Sequence, residues 1–188
     1  SNFKGECEAV YFPENVEEVV SIVKEANTNK TKVTIAGNGT GLTGARVPQN
    51  GIVIATDKLN RILEINPTEY YAVIEPAVLL SDFQKELKQQ NLFYPPDPTE
   101  TNCYIGGTVA TNASGAKTFK YGPTRDYVIG LQVILPDGEV LDLERGKQKA
   151  NGYDLLLTTQ SGKNISLQIP DYTFPAVKNA SGYFVKKD

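Results

Sequence analysis

Gly37-Asn38-Gly39-Thr40-Gly41-Leu42-Thr43-Gly44 places four glycines in one short stretch that directly follows an apolar run. Glycine has no Cβ, so it accepts positive φ and lets backbone N–H groups come close to a ligand. Successive exposed N–H groups make a concavity for anions, and a diphosphate is a natural occupant. Gly39, Gly41 and Gly44 also spell G-x-G-x-x-G, a pattern that in a Rossmann unit opens a helix whose N-terminus holds the phosphate. Here Arg46, Val47 and Pro48 follow, then the turn Gln49-Asn50-Gly51 and a second apolar run at 52–55. The acidic residue expected about 20 positions later is missing, since Asp57 comes too early. The pattern predicts a phosphate-cradling loop between two strands, in place of a Rossmann turn. A glycine-rich connection without a ligand is the plainer alternative.

A second unusual stretch runs from Leu92 to Gly115. Pro95, Pro96 and Pro98 hold the chain extended, and Ile105-Gly106-Gly107 opens a run of small and hydroxylated side chains ending at Gly115. Another body can lie against such a backbone, and close packing of a short helix on a sheet explains the composition equally well. Two such stretches in one small chain favour a large flat ligand between them.

Composition removes much other chemistry. The chain has 188 residues, no histidine and two cysteines, Cys7 and Cys103. A Ser-His-Asp triad, a Cys-His pair and a His-based zinc site are therefore excluded, and no metal site is expected. A catalyst built from this chain needs carboxylates, Lys, Tyr or a borrowed cofactor. Net charge of −3 gives no basic footprint for nucleic acid. No apolar run is long enough for a transmembrane helix, no signal-peptide pattern stands at the N-terminus, and two lone cysteines fit a reducing cytoplasm.

The elements that must position the glycines follow from periodicity. Apolar residues at 16, 19, 20, 23 and 26 share one helix face, with Pro13 and acidic residues at the start. Strands are predicted over 32–36, 52–55, 61–65 and 71–75, and a helix over 79–91 capped by Ser81 or Asp82. Residues 121–126 read as a turn. Hairpins are predicted from 128–135 with 139–143 around Pro136-Asp137-Gly138, and from 155–159 with 164–169.

Three blocks in order are specific enough to name a family. They are Gly37 to Gly44; Tyr94-Pro95-Pro96-Asp97-Pro98 with Ile105 to Gly115; and Tyr121-Gly122-Pro123-Thr124-Arg125-Asp126 before the strand and turn at 131–138. The chain resembles the FAD-binding domain of the vanillyl-alcohol-oxidase or PCMH-type flavoproteins, in the branch of glycolate oxidase GlcD-like proteins and D-lactate dehydrogenases. The resemblance covers roughly residues 13–143.

That resemblance implies an α+β fold of two α/β subdomains with FAD between them. The smaller would span about residues 13–75 and carry the pyrophosphate loop, and the larger about 76–188. Gly37, Asn38, Gly39, Thr40, Gly41, Leu42 and Thr43 would wrap the pyrophosphate. Pro98, Thr99, Asn102, Ile105, Gly106, Gly107, Thr111, Asn112, Ser114 and Gly115 would line the dinucleotide and approach the flavin. Such proteins oxidise 2-hydroxy acids by hydride transfer to flavin N5, and an electron acceptor reoxidises the flavin. Relatives that bind FAD covalently through histidine place it in the first glycine loop, where Thr40 stands here, so the expectation is dissociable FAD. The segment 177–183 resembles the approach to a further FAD-binding segment and a substrate cap, which makes the chain read as a fragment with its catalytic residues elsewhere. Arg125, Tyr94, Tyr121, Asp97 and Glu100 lie near the expected ligand path, with salt bridging, core packing and loop capping as their plainer roles. Two other readings remain: a related flavoenzyme with another substrate, such as a UDP-sugar reductase or an alcohol oxidase, and a non-catalytic nucleotide- or phosphate-binding module.

Overall fold

The computed structural model describes residues 3–177. The segment 177–183 falls almost wholly outside them. Two compact units divide at Tyr127/Val128. This is a division by contacts, distinct from the expected lobes meeting near residue 75.

In the first unit, β1 (Ala9–Tyr11), β2 (Val33–Ala36) and β3 (Ile52–Ala55) form a parallel sheet in the order β1-β3-β2. All four residues of β3 are buried, as a central parallel strand requires, and its Ile-Val-Ile-Ala sequence has no polar alternation. β1 escapes sequence reading because three residues carry no period. The antiparallel pair β4 (Ile62–Asn66) and β5 (Tyr71–Ile74) follows.

Helix α1 (Val16–Asn29) begins three residues after Pro13 because Asn15 caps it. The Asn15 side chain accepts the Glu18 N–H at 2.9 Å, and Glu18 accepts the Glu14 N–H at 2.9 Å. The first bond satisfies one donor the helix leaves open, and the second ties the entering chain to the first turn.

Helix α2 (Leu80–Gln89) corrects the expected cap. Leu79 holds the N-cap position, with no side-chain bond from Ser81 or Asp82. The reason lies outside the helix: the Leu80 and Ser81 N–H groups donate to the Cys103 and Thr101 carbonyls at 3.0 and 3.1 Å. A neighbouring backbone has taken the capping role. Val78, Leu80, Phe83, Leu87, Cys103 and Ile105 make the core beside these contacts, with Tyr94 packed against it.

The small-residue run forms a helix, α3 (Ile105–Ala110). The expected turn at 121–126 is more ordered than predicted, spanning the end of α4 (Thr118–Tyr121) and a 3-10 turn, Thr124–Tyr127.

The second unit holds two antiparallel hairpins, β6 (Gly130–Ile134) with β7 (Val140–Glu144), and β8 (Asp154–Thr158) with β9 (Asn164–Gln168). Asp137 pairs with Lys163 at 2.5 Å in this unit. Among the described residues no helix is long and apolar enough to cross a membrane, and no cluster of His, Cys, Asp and Glu could hold a metal ion.

Candidate functional site

The loop at 37–51 is the connection between two neighbouring parallel strands, a place where a helix is usual. No helix forms there. The loop leaves the carboxyl end of β2 beside the carboxyl end of β3, where the Thr56 N–H bonds the Ala36 carbonyl at 3.0 Å. Ligands of open α/β sheets sit at that edge.

Both ends of the loop are tied and its middle is open. At the far end, Asn50 N–H donates to the Glu6 carbonyl and Glu8 N–H to the Gly51 carbonyl, at 2.9 and 2.7 Å. The Phe3 ring lies where a Cβ on Gly44 would stand, at 2.8 Å. At the near end, Arg46 Nη1 donates to the Gly37 carbonyl at 3.2 Å. Between them, a Cβ on Gly41 would meet nothing within 4 Å. Leu42 and Thr43 are exposed, and Thr40 is half-buried.

The second stretch is joined to this loop. Asn38 Nδ2 donates to the Asn102 carbonyl, and the Tyr104 ring is 3.6 Å from the Cβ position of Gly37. Glu100 turns the chain there by accepting the Asn102 N–H at 2.9 Å, which is the loop-capping role. Pro98 bridges Gly115, so Thr99, Asn102 and the 111–115 segment belong to one folded strip. Thr111 Oγ1 closes the end of α3 on the Gly107 carbonyl at 2.9 Å, and Asn112 Oδ1 accepts the Arg125 N–H at 2.9 Å. Ser114 is half-buried in the same strip.

The glycines here differ in what surrounds them. A Cβ on Gly106 would lie 2.6 Å from Pro76 Cβ, and one on Gly115 only 1.6 Å from the Asp97 carbonyl oxygen. Gly107, exposed on α3, would meet nothing within 4 Å. Ile105 is an anchor: its side chain is in the core and its N–H bonds the Val78 carbonyl at 2.9 Å. The loop backbone thus offers an open stretch at 41–43 and an open face at Gly107, which suits a dinucleotide approached by main chain.

The aromatic residues pack as core and rim. Tyr94 meets Phe83 and Tyr127 edge-on at 5.4 and 5.8 Å between ring centroids, and burial pushes its phenol up to about 12. Tyr121 meets Phe93 at 5.7 Å, and Asp97 pairs with Lys117 at 3.3 Å.

Sequence reasoning gave no role to Arg46, Tyr104 or Asp57. Tyr104 donates to Asp57 Oδ1 at 3.2 Å, and burial together with that carboxylate raises its phenol above the ordinary 10.0. Both border a cleft of about 340 Å³ that also takes in Asp82 and none of the residues expected to bind cofactor. Arg46 had a readable signal, being the sole ionisable residue between Gly37 and Gly51.

Comparison with known proteins identifies the family. Residues 7–144 match the family model described as FAD binding domain. The chain is 41% identical over 155 residues to a D-lactate dehydrogenase of Anaerostipes hadrus, covering 81% of this chain and 33% of the relative. It is 39% identical over 150 residues to a D-2-hydroxyglutarate dehydrogenase of Stutzerimonas stutzeri, covering 78% and 32%. The chain therefore spans about a third of the length of the curated relatives it matches. Among solved structures, an alkyldihydroxyacetonephosphate synthase aligns at a TM-score of 0.66 with 26% identity, covering 73% of this chain and 28% of the other. The 6-hydroxy-D-nicotine oxidase of Arthrobacter nicotinovorans aligns at 0.68 with 21% identity over 73% of this chain and 30% of its own, which speaks for the fold alone. The chain belongs to the FAD-binding domain family of the PCMH-type FAD-linked oxidases, and its fold is the α+β fold of that family.

Proposed function

We propose that this chain supplies the FAD-binding part of a flavin-dependent oxidoreductase acting on a 2-hydroxy acid of the D-lactate or glycolate type. The observation that carries the reading is the tether between the two loops: Asn38 on the glycine loop holds the Asn102 carbonyl of the proline-rich strip. One ligand can then touch both. Gly37 to Thr43 present main-chain N–H groups to the diphosphate. Pro98, Thr99, Asn102 and the strip from Ile105 through Gly107 to Thr111, Asn112, Ser114 and Gly115 lie along the rest of the dinucleotide. The two lobes meeting near residue 75 belong to this proposal, with the cofactor between them. Bound FAD supplies an acceptor for the hydride leaving the substrate α-carbon, and a separate electron acceptor must then take the electrons. The chain's own part is to bind and orient. These 188 residues offer no histidine for a covalent link, and dissociable FAD is part of the proposal. The substrate class is taken from the names of relatives that are 41% and 39% identical to this chain over 155 and 150 aligned residues, about a third of their own length. A reducing compartment, the cytoplasm, fits its two free cysteines.

The test is an absorbance spectrum of the full-length protein before and after FAD addition and desalting, then anaerobic addition of D-lactate, glycolate or D-2-hydroxyglutarate. Retained flavin bands that one acid bleaches are the expected result. Failure to retain FAD defeats the cofactor reading. Retained flavin that dithionite reduces and no hydroxy acid does defeats the substrate class alone.

A further inference from the structure

We propose that Arg46 is the residue that neutralises the diphosphate in the glycine loop, and that its guanidinium is held in place for that purpose. The inference rests on the FAD reading above. Between Gly37 and Gly51 no other side chain carries a charge. The guanidinium occupies the space of the missing Gly39 side chain: Cζ, Nε and Nη2 stand 2.0, 2.3 and 2.4 Å from that Cβ position. Nη1 is engaged by the Gly37 carbonyl at 3.2 Å, which fixes the plane of the fork. Gly39 is thus glycine for two reasons, its φ of +73° and the arginine lying against it.

An arginine carries five N–H donors in a rigid plane and stays protonated, so an anchored fork offers its remaining edge to phosphate oxygens. The loop amides contribute only partial charges. The nearby Asp57, bonded by Tyr104, and the net charge of −3 add no positive charge of their own. Within the loop, the full counter-charge for a dinucleotide diphosphate comes from Arg46. The same guanidinium stiffens the first turn of the loop by closing Gly37 on residue 46.

The experiment is an FAD titration of the full-length protein, read by flavin fluorescence at several salt concentrations, for the wild type, R46Q and R46K. R46Q keeps a donor for the Gly37 carbonyl and removes the charge. It should weaken FAD binding by about tenfold or more and flatten the salt dependence. R46K should recover part of the affinity and keep the salt dependence. Should R46Q fail to fold, the wild-type salt series and R46K still decide. FAD affinity that ignores salt in the wild type, or that R46Q leaves unchanged, overturns the role of Arg46 while the FAD site stands. Loss of affinity in R46Q with the salt dependence intact overturns the charge role, leaving Arg46 as a loop support. A wild type that binds no FAD overturns the underlying reading instead.

Discussion

The glycines of the loop at 37–51 and of the strip at 98–115 fall into two kinds, crowded and open, with both kinds in each region. In the strip, Gly106 and Gly115 are small because protein fills the space: Pro76 presses on one and the Asp97 carbonyl on the other. In the loop, Gly41 is small with nothing around it, and across the strip Gly107 shares that openness. A glycine crowded by its own protein is a folding constraint. A glycine facing open space on a tied loop leaves room beside the backbone. Sequence alone does not tell the two kinds apart; their surroundings do.

That contrast is most exposed to failure at Gly115. A Cβ there would overlap the Asp97 carbonyl oxygen and open the Pro98–Gly115 bridge, so Gly115→Ala should lose about 3 kcal/mol in urea unfolding. Wild-type stability in that variant would erase the distinction drawn here.

Gly107→Ala should do the reverse. Alanine in a helix is favoured over glycine by up to about 1 kcal/mol, so the cofactor-free protein should be as stable as wild type or more so. Its FAD affinity should fall by about tenfold, since the added methyl stands on the open face. Unfolding without FAD and fluorescence titration with it measure the two halves. An affinity equal to wild type would move Gly107 out of the site.

Asn38→Ala sharpens the link between the regions. Losing the bond to the Asn102 carbonyl should cost about 1 kcal/mol of stability, with FAD affinity falling alongside. Unchanged FAD binding in a measurably less stable variant would make the tether purely structural.

On the packed side of the strip, the effect is confined to alkaline pH. Tyr94 is raised from 10.0 to about 12, chiefly by burial, so the folded protein holds its proton more tightly than the unfolded chain. Its contribution is complete below pH 10.0 and is lost as pH rises towards about 12. Tyr94→Phe should therefore soften the alkaline decline in urea midpoint over that window. An identical decline in both proteins would show that Tyr94 does not drive it.

Much of this was legible in the chain. The apolar runs that became β2 and β3 bracket the glycine loop, and Pro48 with Asn50-Gly51 announced that no helix would open there. Asp137-Gly138 marked the first hairpin of the second unit. Other features were not legible because their causes lie far along the chain. The cap of α2 comes from carbonyls of Thr101 and Cys103, about twenty residues later, so local reading looked to Ser81 and Asp82. β1 pairs with a strand more than forty residues away and has no period of its own.

The sequence by itself determined the kind of site, because glycine spacing, proline content and the absence of histidine restrict the available chemistry through local backbone freedom and side-chain inventory. Tertiary structure decided which residues of the two stretches meet. Only folding set Asn38 against Asn102, laid Arg46 on Gly39 and pressed Asp97 on Gly115, because such contacts depend on where distant segments come to rest.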